Sequence, residues 1–585
     1  MKTEWNLGLL YKNHNDPKIE SDIKDAEKAF TAFAKKYKGK TDYLKNETKL
    51  LKSIQAYEAL FDKRSFSKPL HYFHLVLSIN SNDSVARAKS VQITEKLTKI
   101  EQIVSFFDLT IGKIPAQLQK KFIASKRLSK YQYFLKVVFN NAKHTLSEAE
   151  EKIMGLKAIP SYQQWVDGTE KLLNKQTVMF KGKALPLPEA TNKIGELPLA
   201  ERRELHESTM KVLESLSDVA ESEMNAVVTN KKINDELRGY KEPYDATIMG
   251  YQNEPKTVLT LVDVVTKNFP ISHRFYALKA KLLKLPNLEY SDRNVGLEHE
   301  AKKIPLTEQL EILRKIFKDA DPRFESILND FLKNGQIDVY PKVGKSGGAF
   351  CWGDTNRPTF VLLNNTETMD ALSTFAHEMG HAFHTQFSKI QPVLVRGYST
   401  ATAEVASTFF EAVLFDAVFE TLSDAEKISA LHNKINDDIQ IIFRQIACFN
   451  FEKELHQTVR TKGGVSKEEI RAMMNKHMSA YLGPIFKMKE IDGNFFVSWG
   501  HIRSFFYVYS YAFGQLVSKA LYANYKKDKK FMDKVIKFLS AGGSDSPENI
   551  FKSAGIDVTR ADFWKTGLKA IEKDIDMLEE LTKSK

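Results

Sequence analysis

The sequence predicts a mainly α-helical fold with one small β-sheet beside a helix that carries a His-Glu-x-x-His pattern. Three observations lead there. Apolar residues recur at three- and four-residue intervals over most of the 585 residues. Strand-like character is confined to two short stretches, 176–197 and 337–364. The second runs straight into ALSTFAHEMGHAFHTQF, where acidic residues in the first turn and small or apolar residues at every third or fourth position describe a helix entered from a strand.

From about residue 20 to 155, the stretches AEKAFTAFAKKY, TKLLKSIQAYEALFDK, SVARAKSVQITEKLTKIEQIVSFFDLTI and KKFIASKRLSKYQYFLKVVF each read as a helix with one apolar face. Turn signals such as Ser81-Asn82-Asp83 and Asn140-Asn141 separate them. Residues 176–197 break this rhythm with two prolines, two glycines and several β-compatible residues, which predicts a short strand pair or loop. A domain boundary placed there gives an N-terminal helical domain over 1–190 and a second domain over 191–585. Helical spacing resumes near 198 and dominates to the C-terminus. Within it, residues 337–364 contain Gly347-Gly348, end in Phe360-Val361-Leu362-Leu363, and predict a sheet of two to four strands.

Composition narrows the function. With 86 basic and 74 acidic side chains the formal charge is +12, and 42 % apolar residues leave enough to bury a large core. The chain is therefore neither disordered nor fibrous. Lys-rich segments at 34–40, 119–130 and 525–537 are interleaved with apolar residues at helical spacing. That is the pattern of solvated helix faces, so no nucleic-acid partner is expected. Two cysteines, Cys351 and Cys448, cannot staple a chain of this size, which points to a reducing compartment. No apolar run reaches membrane-spanning length, and the start of the chain meets Tyr11, Lys12 and Asn13 before an apolar signal core can form. A cytoplasmic protein with no membrane partner is expected.

The chemistry centres on His377-Glu378-Met379-Gly380-His381. Imidazoles at i and i+4 lie one above the other on a helix, so both can bind one tetrahedral Zn²⁺ through nitrogen. Glu378 projects beside that face and can act as a general base toward water without ligating the metal. A catalytic zinc needs a third protein ligand, and residue 387, six beyond His381, is Phe. Downstream, STATAEVASTFFEAVLF carries only two charges, Glu404 and Glu411, in a small and apolar helical run. A carboxylate there needs a cation or metal as partner, which makes Glu404 the third-ligand candidate. Glu411, seven residues on, can orient a ligand histidine. His384 is a weaker candidate because it points partly away from His381. Gly380 weakens a helix interior by about 1 kcal/mol relative to Ala, a cost that makes sense where another chain segment approaches closely.

These pieces, with GYSTATAEVASTFFE at 397–411, SGGAFCWG at 346–353, WGHIRSFFYVYSYAFG at 499–514 and the amino-terminal WNLGLLY, resemble the M3 family of zinc metallopeptidases, most closely its oligoendopeptidase F branch. The resemblance spans almost the whole chain. It implies two helical lobes around a deep substrate channel that admits peptides and excludes folded proteins. It implies one Zn²⁺ per chain on His377, His381 and Glu404, with Glu378 as general base. It also implies that His501 and tyrosines of the C-terminal motif stabilise the oxyanion. Tyr507 and Tyr511 would share a helix face while Tyr509 points elsewhere; the family match favours Tyr509, and helical geometry does not decide. Where relatives often carry a tyrosine two residues after the histidine, this chain has Arg503, so one donor is absent or Arg503 binds a substrate carbonyl or carboxylate.

The function expected from these readings is hydrolysis of internal bonds in short unfolded peptides, with Glu378, His501, Tyr507 and Tyr509 in the reaction. The glycine-containing segment 346–353 can bind an extended peptide by main-chain pairing, or serve only as a turn. The rivals are a dipeptidyl carboxypeptidase-type exopeptidase on the same scaffold, favoured if Arg396 or Arg503 captures a carboxylate, and a peptide-binding protein without turnover. The presence of Glu378 argues against the last.

Overall fold

The first long helices follow the expected periodicity. In the computed structural model, which describes residues 1–62, 66–297, 303–353 and 357–583, α1 (Pro17–Tyr37) starts where the Asp16 carboxylate accepts from the Lys18 N–H and Pro17 supplies a fixed φ. Its face Ile19, Ile23, Ala26, Phe30, Phe33 and Tyr37 is buried, while Lys18, Lys24, Lys28 and Lys35 remain exposed. α2 (Glu47–Asp62), α3 (Lys68–Ile79) and α4 (Ser84–Gln102) pack with it around one core. At its centre Tyr57 lies 5.7 Å from Phe33 and 4.6 Å from Phe107, ring centre to ring centre.

The break at 176–197 is a strand pair. β1 (Thr177–Phe180) and β2 (Lys183–Pro186) run antiparallel, and Lys181 (φ 49°) and Gly182 (φ 75°) form the two-residue turn whose left-handed backbone matches the twist of the strands. The second strand-like segment gives β3 (Ile337–Asp338), β4 (Phe350–Trp352) and β5 (Phe360–Leu362) in the order β3-β5-β4, with β3 parallel and β4 antiparallel to β5. Residues 354–356 of that segment lie outside the described residues. Trp5 covers the sheet, donating from Nε1 to the Val361 carbonyl at 2.8 Å and meeting the Phe360 ring edge-on at 5.6 Å. Phe350 and Trp352 face the N-terminal core. The helix Met369–Ser388 packs against β4 and β5.

The chain forms two units, each assembled from separated segments. The first comprises Met1–Lys143, Ala301–Ala417 and Leu521–Gly555, and contains α1–α4, the three-stranded sheet and the Met369–Ser388 helix. The second comprises His144–Glu300, Val418–Ala520 and Ile556–Lys585, and contains the hairpin and the helices Ser217–Leu237 and Gln445–Lys462. Its interior holds paired charges: Arg202 donates to Asp292 at 2.6 Å, and Lys519 to Asp438 at 2.7 Å. Each such charge is tolerable inside only because its partner is there. The boundary expected at 190/191 falls inside this second unit. Among the described residues, no helix is long and apolar enough to cross a membrane.

Candidate metal centre

The Met369–Ser388 helix begins at Thr368, whose hydroxyl accepts from the Ala371 N–H at 3.3 Å, and carries Asp370 in its first turn. Two turns in, His377 and His381 stack on one face with their Nε2 atoms 3.2 Å apart. Glu404, from the helix Thr400–Phe419, brings Oε2 to 3.6 Å from His377 Nε2 and 4.0 Å from His381 Nε2. A tetrahedral zinc with bonds of about 2.0–2.1 Å sets neighbouring ligand atoms about 3.3 Å apart, so this donor triangle fits such an ion. The set is two imidazole nitrogens and one carboxylate oxygen, the combination that zinc takes in hydrolytic sites.

Gly380 makes this meeting possible. A Cβ at this position would lie 2.6 Å from the Ser407 Cα and 2.9 Å from the Ala406 carbonyl oxygen. The close approach that the sequence suggested is therefore the approach of the helix that carries Glu404. Ser407 also donates to Glu404 Oε2 at 3.3 Å, which fixes the carboxylate against the histidines.

Behind the triangle, His377 Nδ1 is hydrogen-bonded to Glu411 Oε1. Burial pushes the His377 imidazolium down, but Glu411, Glu378 and Glu404 together outweigh it and hold the group up at about 9. His381 has no such carboxylate on its ring and is pushed down to about 3 by burial and by His377. Glu378 is only 5 % exposed, and its Oε2 has no hydrogen-bond partner. Burial raises this carboxyl to about 7, against the pull of His377. A buried carboxyl with an open oxygen near neutrality has the properties of a proton acceptor for water.

His377, Glu378, His381 and Glu404 share a cavity of about 640 Å³ with Cys351 and Tyr398. One wall is β4, the outer strand of the sheet. Gly353, just after it, has no room for a side chain because a Cβ would sit 2.3 Å from Thr385 Cγ2 on the metal helix. His384 is fully buried and stacks on Tyr398 with centroids 3.6 Å apart and planes at 4°. It is a packing residue here, outside the donor triangle.

Three residues lining or supporting the cavity were not singled out in the sequence, although Tyr398 lies within the 397–411 motif. Tyr398 is held by a hydroxyl contact of 2.9 Å with Thr385. Gly542 and Gly543 press against the 395–397 loop: a Cβ on Gly542 would meet the Arg396 carbonyl oxygen at 2.5 Å, and one on Gly543 the Gly397 carbonyl oxygen at 2.1 Å. The Gly-Gly pair was the only possible hint, since nothing in spacing along the chain links 542 to 396.

The remaining residues singled out in the sequence, His501, Arg503, Tyr507, Tyr509 and Tyr511, belong to the second unit. Tyr507 is not helical; the helix Tyr509–Lys527 begins two residues later. The Tyr507 hydroxyl is hydrogen-bonded to His501 Nδ1, and the Tyr511 hydroxyl donates to it at 3.4 Å. Tyr509 is fully buried and donates to Asn253 Oδ1 at 3.0 Å, so it does a different job from Tyr507. Arg503, considered above as a substrate contact, is 4 % exposed and bonds both Glu223 oxygens at 2.6 and 2.7 Å. Its guanidinium is committed to that carboxylate.

Residues 200–570 match the model of peptidase family M3, and residues 111–167 match that of oligopeptidase F. An oligoendopeptidase F homolog of Borreliella burgdorferi is 27 % identical over 482 residues, covering 79 % of this chain and 80 % of its own. Oligopeptidase PepF of Bacillus subtilis is 25 % identical over 480 residues, covering 80 % of this chain and 71 % of its own. Among solved structures, one from Chlamydophila abortus superposes with a TM-score of 0.86 at 22 % identity, over 99 % of this chain and 98 % of that one. Oligoendopeptidase F from Enterococcus faecium gives 0.69 at 21 % identity, over 97 % and 98 % of the two chains. With the family match running over more than half of its length, and with the motifs that resembled that family in hand, the chain belongs to peptidase family M3 and is a metallo-oligopeptidase.

Proposed function

We propose that this peptidase is an endopeptidase of short unfolded peptides that works with one Zn²⁺ held by His377, His381 and Glu404. The observation that carries the reading is the donor triangle of 3.2, 3.6 and 4.0 Å beside a buried Glu378 whose Oε2 has no partner. A Zn²⁺ held by His377, His381 and Glu404 would supply the Lewis acidity for attack of water on a peptide carbonyl near neutral pH.

The protein's own groups do the rest. Glu378 removes the proton from the attacking water and delivers it to the departing amine, so that one carboxyl serves as base and then as acid. Glu411 keeps His377 oriented through Nδ1, leaving Nε2 for the metal. The outer edge of β4 pairs with the main chain of an extended peptide and selects for unfolded substrates with little dependence on sequence. His501 and Tyr507 donate hydrogen bonds to the developing oxyanion. Tyr507 is preferred to Tyr509 because its hydroxyl lies on His501, whereas that of Tyr509 lies on Asn253. Both cysteines are free, which is in keeping with a cytoplasmic enzyme.

The exopeptidase alternative needs a cation to receive a free carboxylate. Arg396 lines the cavity and is its best candidate, although Nε donates to the Gln391 carbonyl at 2.9 Å. The test is hydrolysis of an internally quenched, end-blocked peptide by wild type and by Glu378→Gln, with zinc content measured on both. Internal cleavage by wild type, and a loss of about 10²–10⁴ in turnover with zinc retained in the variant, supports the reading. Cleavage of free-ended peptides only would transfer it to an exopeptidase, and an inactive wild type with zinc bound would leave a binding protein.

A further inference from the structure

Between His501 and Tyr507 the backbone makes a turn that ordinary side chains resist. Phe505 has φ 47° and Phe506 has φ 61°, two consecutive bulky residues in the left-handed region. Such a conformation persists only where the surroundings over-determine it, and it clusters where geometry matters for function. Here the surroundings are specific. The Phe506 N–H donates to Glu452 Oε2 at 2.6 Å, and the Thr247 hydroxyl donates to the Phe505 carbonyl at 2.9 Å. The Tyr162 hydroxyl donates to the Arg503 carbonyl at 2.6 Å, and Arg503 is tied to Glu223. Phe506 is fully buried against Phe449 and His456, at ring distances of 5.4 and 4.8 Å.

Glu452 stands out among these partners. It has no exposed surface, its Oε2 accepts from the Phe506 N–H, and its second oxygen, Oε1, has no hydrogen-bond partner. A buried carboxyl that binds one backbone N–H is a poor way to stabilise a core and an effective way to fix one peptide plane. Without the turn, the chain leaving Ser504 would not fold back to set the Tyr507 hydroxyl on His501 Nδ1.

We propose that Glu452, with Thr247 as its partner on the opposite edge of the same Phe505–Phe506 peptide, is a positioning residue of this peptidase: together they hold the left-handed Phe505–Phe506 turn and so fix Tyr507 against His501. This rests on the reading of His501 and Tyr507 as donors to the oxyanion.

The test is a double-mutant cycle on kcat and KM with Glu452→Ala, Thr247→Val and Tyr507→Phe, alongside Glu452→Gln, which retains an acceptor for the Phe506 N–H. Melting temperature is followed throughout. Glu452→Ala should lower kcat about tenfold or more with KM nearly unchanged, Glu452→Gln should recover most of it, and Glu452→Ala should cost little further in the Tyr507→Phe background. Equal losses in both backgrounds, or no loss in a folded Glu452→Ala while Tyr507→Phe loses activity, would overturn the inference. If Glu452→Ala fails to fold, Thr247→Val carries the same cycle.

A readout independent of turnover is the His501 imidazole signal in 15N-histidine spectra, assigned with His501→Asn. Glu452→Ala and Tyr507→Phe should both shift it. If both shift it while no variant changes kcat, the positioning stands and the donor reading falls. If Tyr507→Phe lowers kcat while Glu452→Ala changes neither kcat nor the signal, the donor reading stands and the positioning falls.

Discussion

Gly380 and Ser407 lie so close that a single added carbon would not fit: a Cβ on Gly380 would stand 2.6 Å from the Ser407 Cα. The helices that carry His377 and His381 and that carry Glu404 touch backbone to backbone at this point, three residues after His377 and one before His381 on one side and three residues after Glu404 on the other. Gly380→Ala should therefore push Glu404 away from the histidines. The expected outcome is a loss of about 1–3 kcal/mol in stability and a clear fall in zinc affinity. Thermal melting and competition with a chelator measure the two. Unchanged zinc affinity in the alanine variant would show that the glycine serves packing alone.

Glu411 acts on His377 through its Nδ1 and leaves the metal side of the ring untouched. Glu411→Ala should weaken zinc binding by about 10- to 100-fold, with activity returning in excess zinc, and Glu411→Gln should lose less because an amide oxygen still accepts the hydrogen bond. A zinc titration of apo-enzyme variants reads this directly. Activity that stays low at saturating zinc would point instead to a role for Glu411 in the reaction itself.

Asp108 gives a pH dependence remote from the metal. Burial pushes its carboxyl up to about 6, against the hydrogen bond donated by Tyr57, and Oδ1 has no partner. A carboxyl whose folded value exceeds its unfolded value is favoured in the protonated form by the fold. Its contribution is present below about pH 4 and is lost as the pH rises through 6. Replacing it with a group that does not titrate, Asp108→Asn, should therefore flatten the fall in stability between pH 4 and 7, by roughly 2 kcal/mol once solvent screening is allowed for. Denaturant melts of both proteins across that range check it. Parallel pH profiles would mean that Asp108 titrates as it does in the unfolded chain.

Gly543 supports the cavity from outside. With the Gly397 carbonyl oxygen only 2.1 Å from where its Cβ would be, Gly543→Ala must displace the 395–398 loop that carries Tyr398. His377, His381 and Glu404 are not in that loop, so metal content should remain that of the wild type while kcat/KM for peptides falls about tenfold or more. Metal analysis and steady-state kinetics on the same preparation separate the two effects. Loss of zinc together with activity would place the damage in the helix pair.

Local rules carried the sequence reading a long way. The apolar face of α1 and the pairing of His377 with His381 depend on neighbours three or four residues apart, and such relationships are written in the chain itself; at 176–197 the break in rhythm was legible, and the structure decided for a strand pair over a loop. Glu404 was legible for a different reason: a carboxylate in so apolar a helix needs a partner wherever that helix lies. The three tyrosines were not legible in this way. Expecting one helix through Tyr507, Tyr509 and Tyr511 ignored the left-handed turn at Phe505-Phe506, which delays the helix to Tyr509 and leaves Tyr507 free to bend back to His501. Arg503 looked available to substrate until packing buried it on Glu223, 280 residues away.

What the sequence determined by itself is the helical class, the small sheet and the three donor candidates that the fold brings together, because periodicity and the cost of burying a lone charge act within one element. The tertiary structure decided which tyrosine meets His501, what Arg503 is bonded to, and why glycine stands at 380 and 543. Those outcomes depend on contacts between segments far apart in the chain, where a few tenths of an ångström of backbone approach, rather than any local propensity, sets the result.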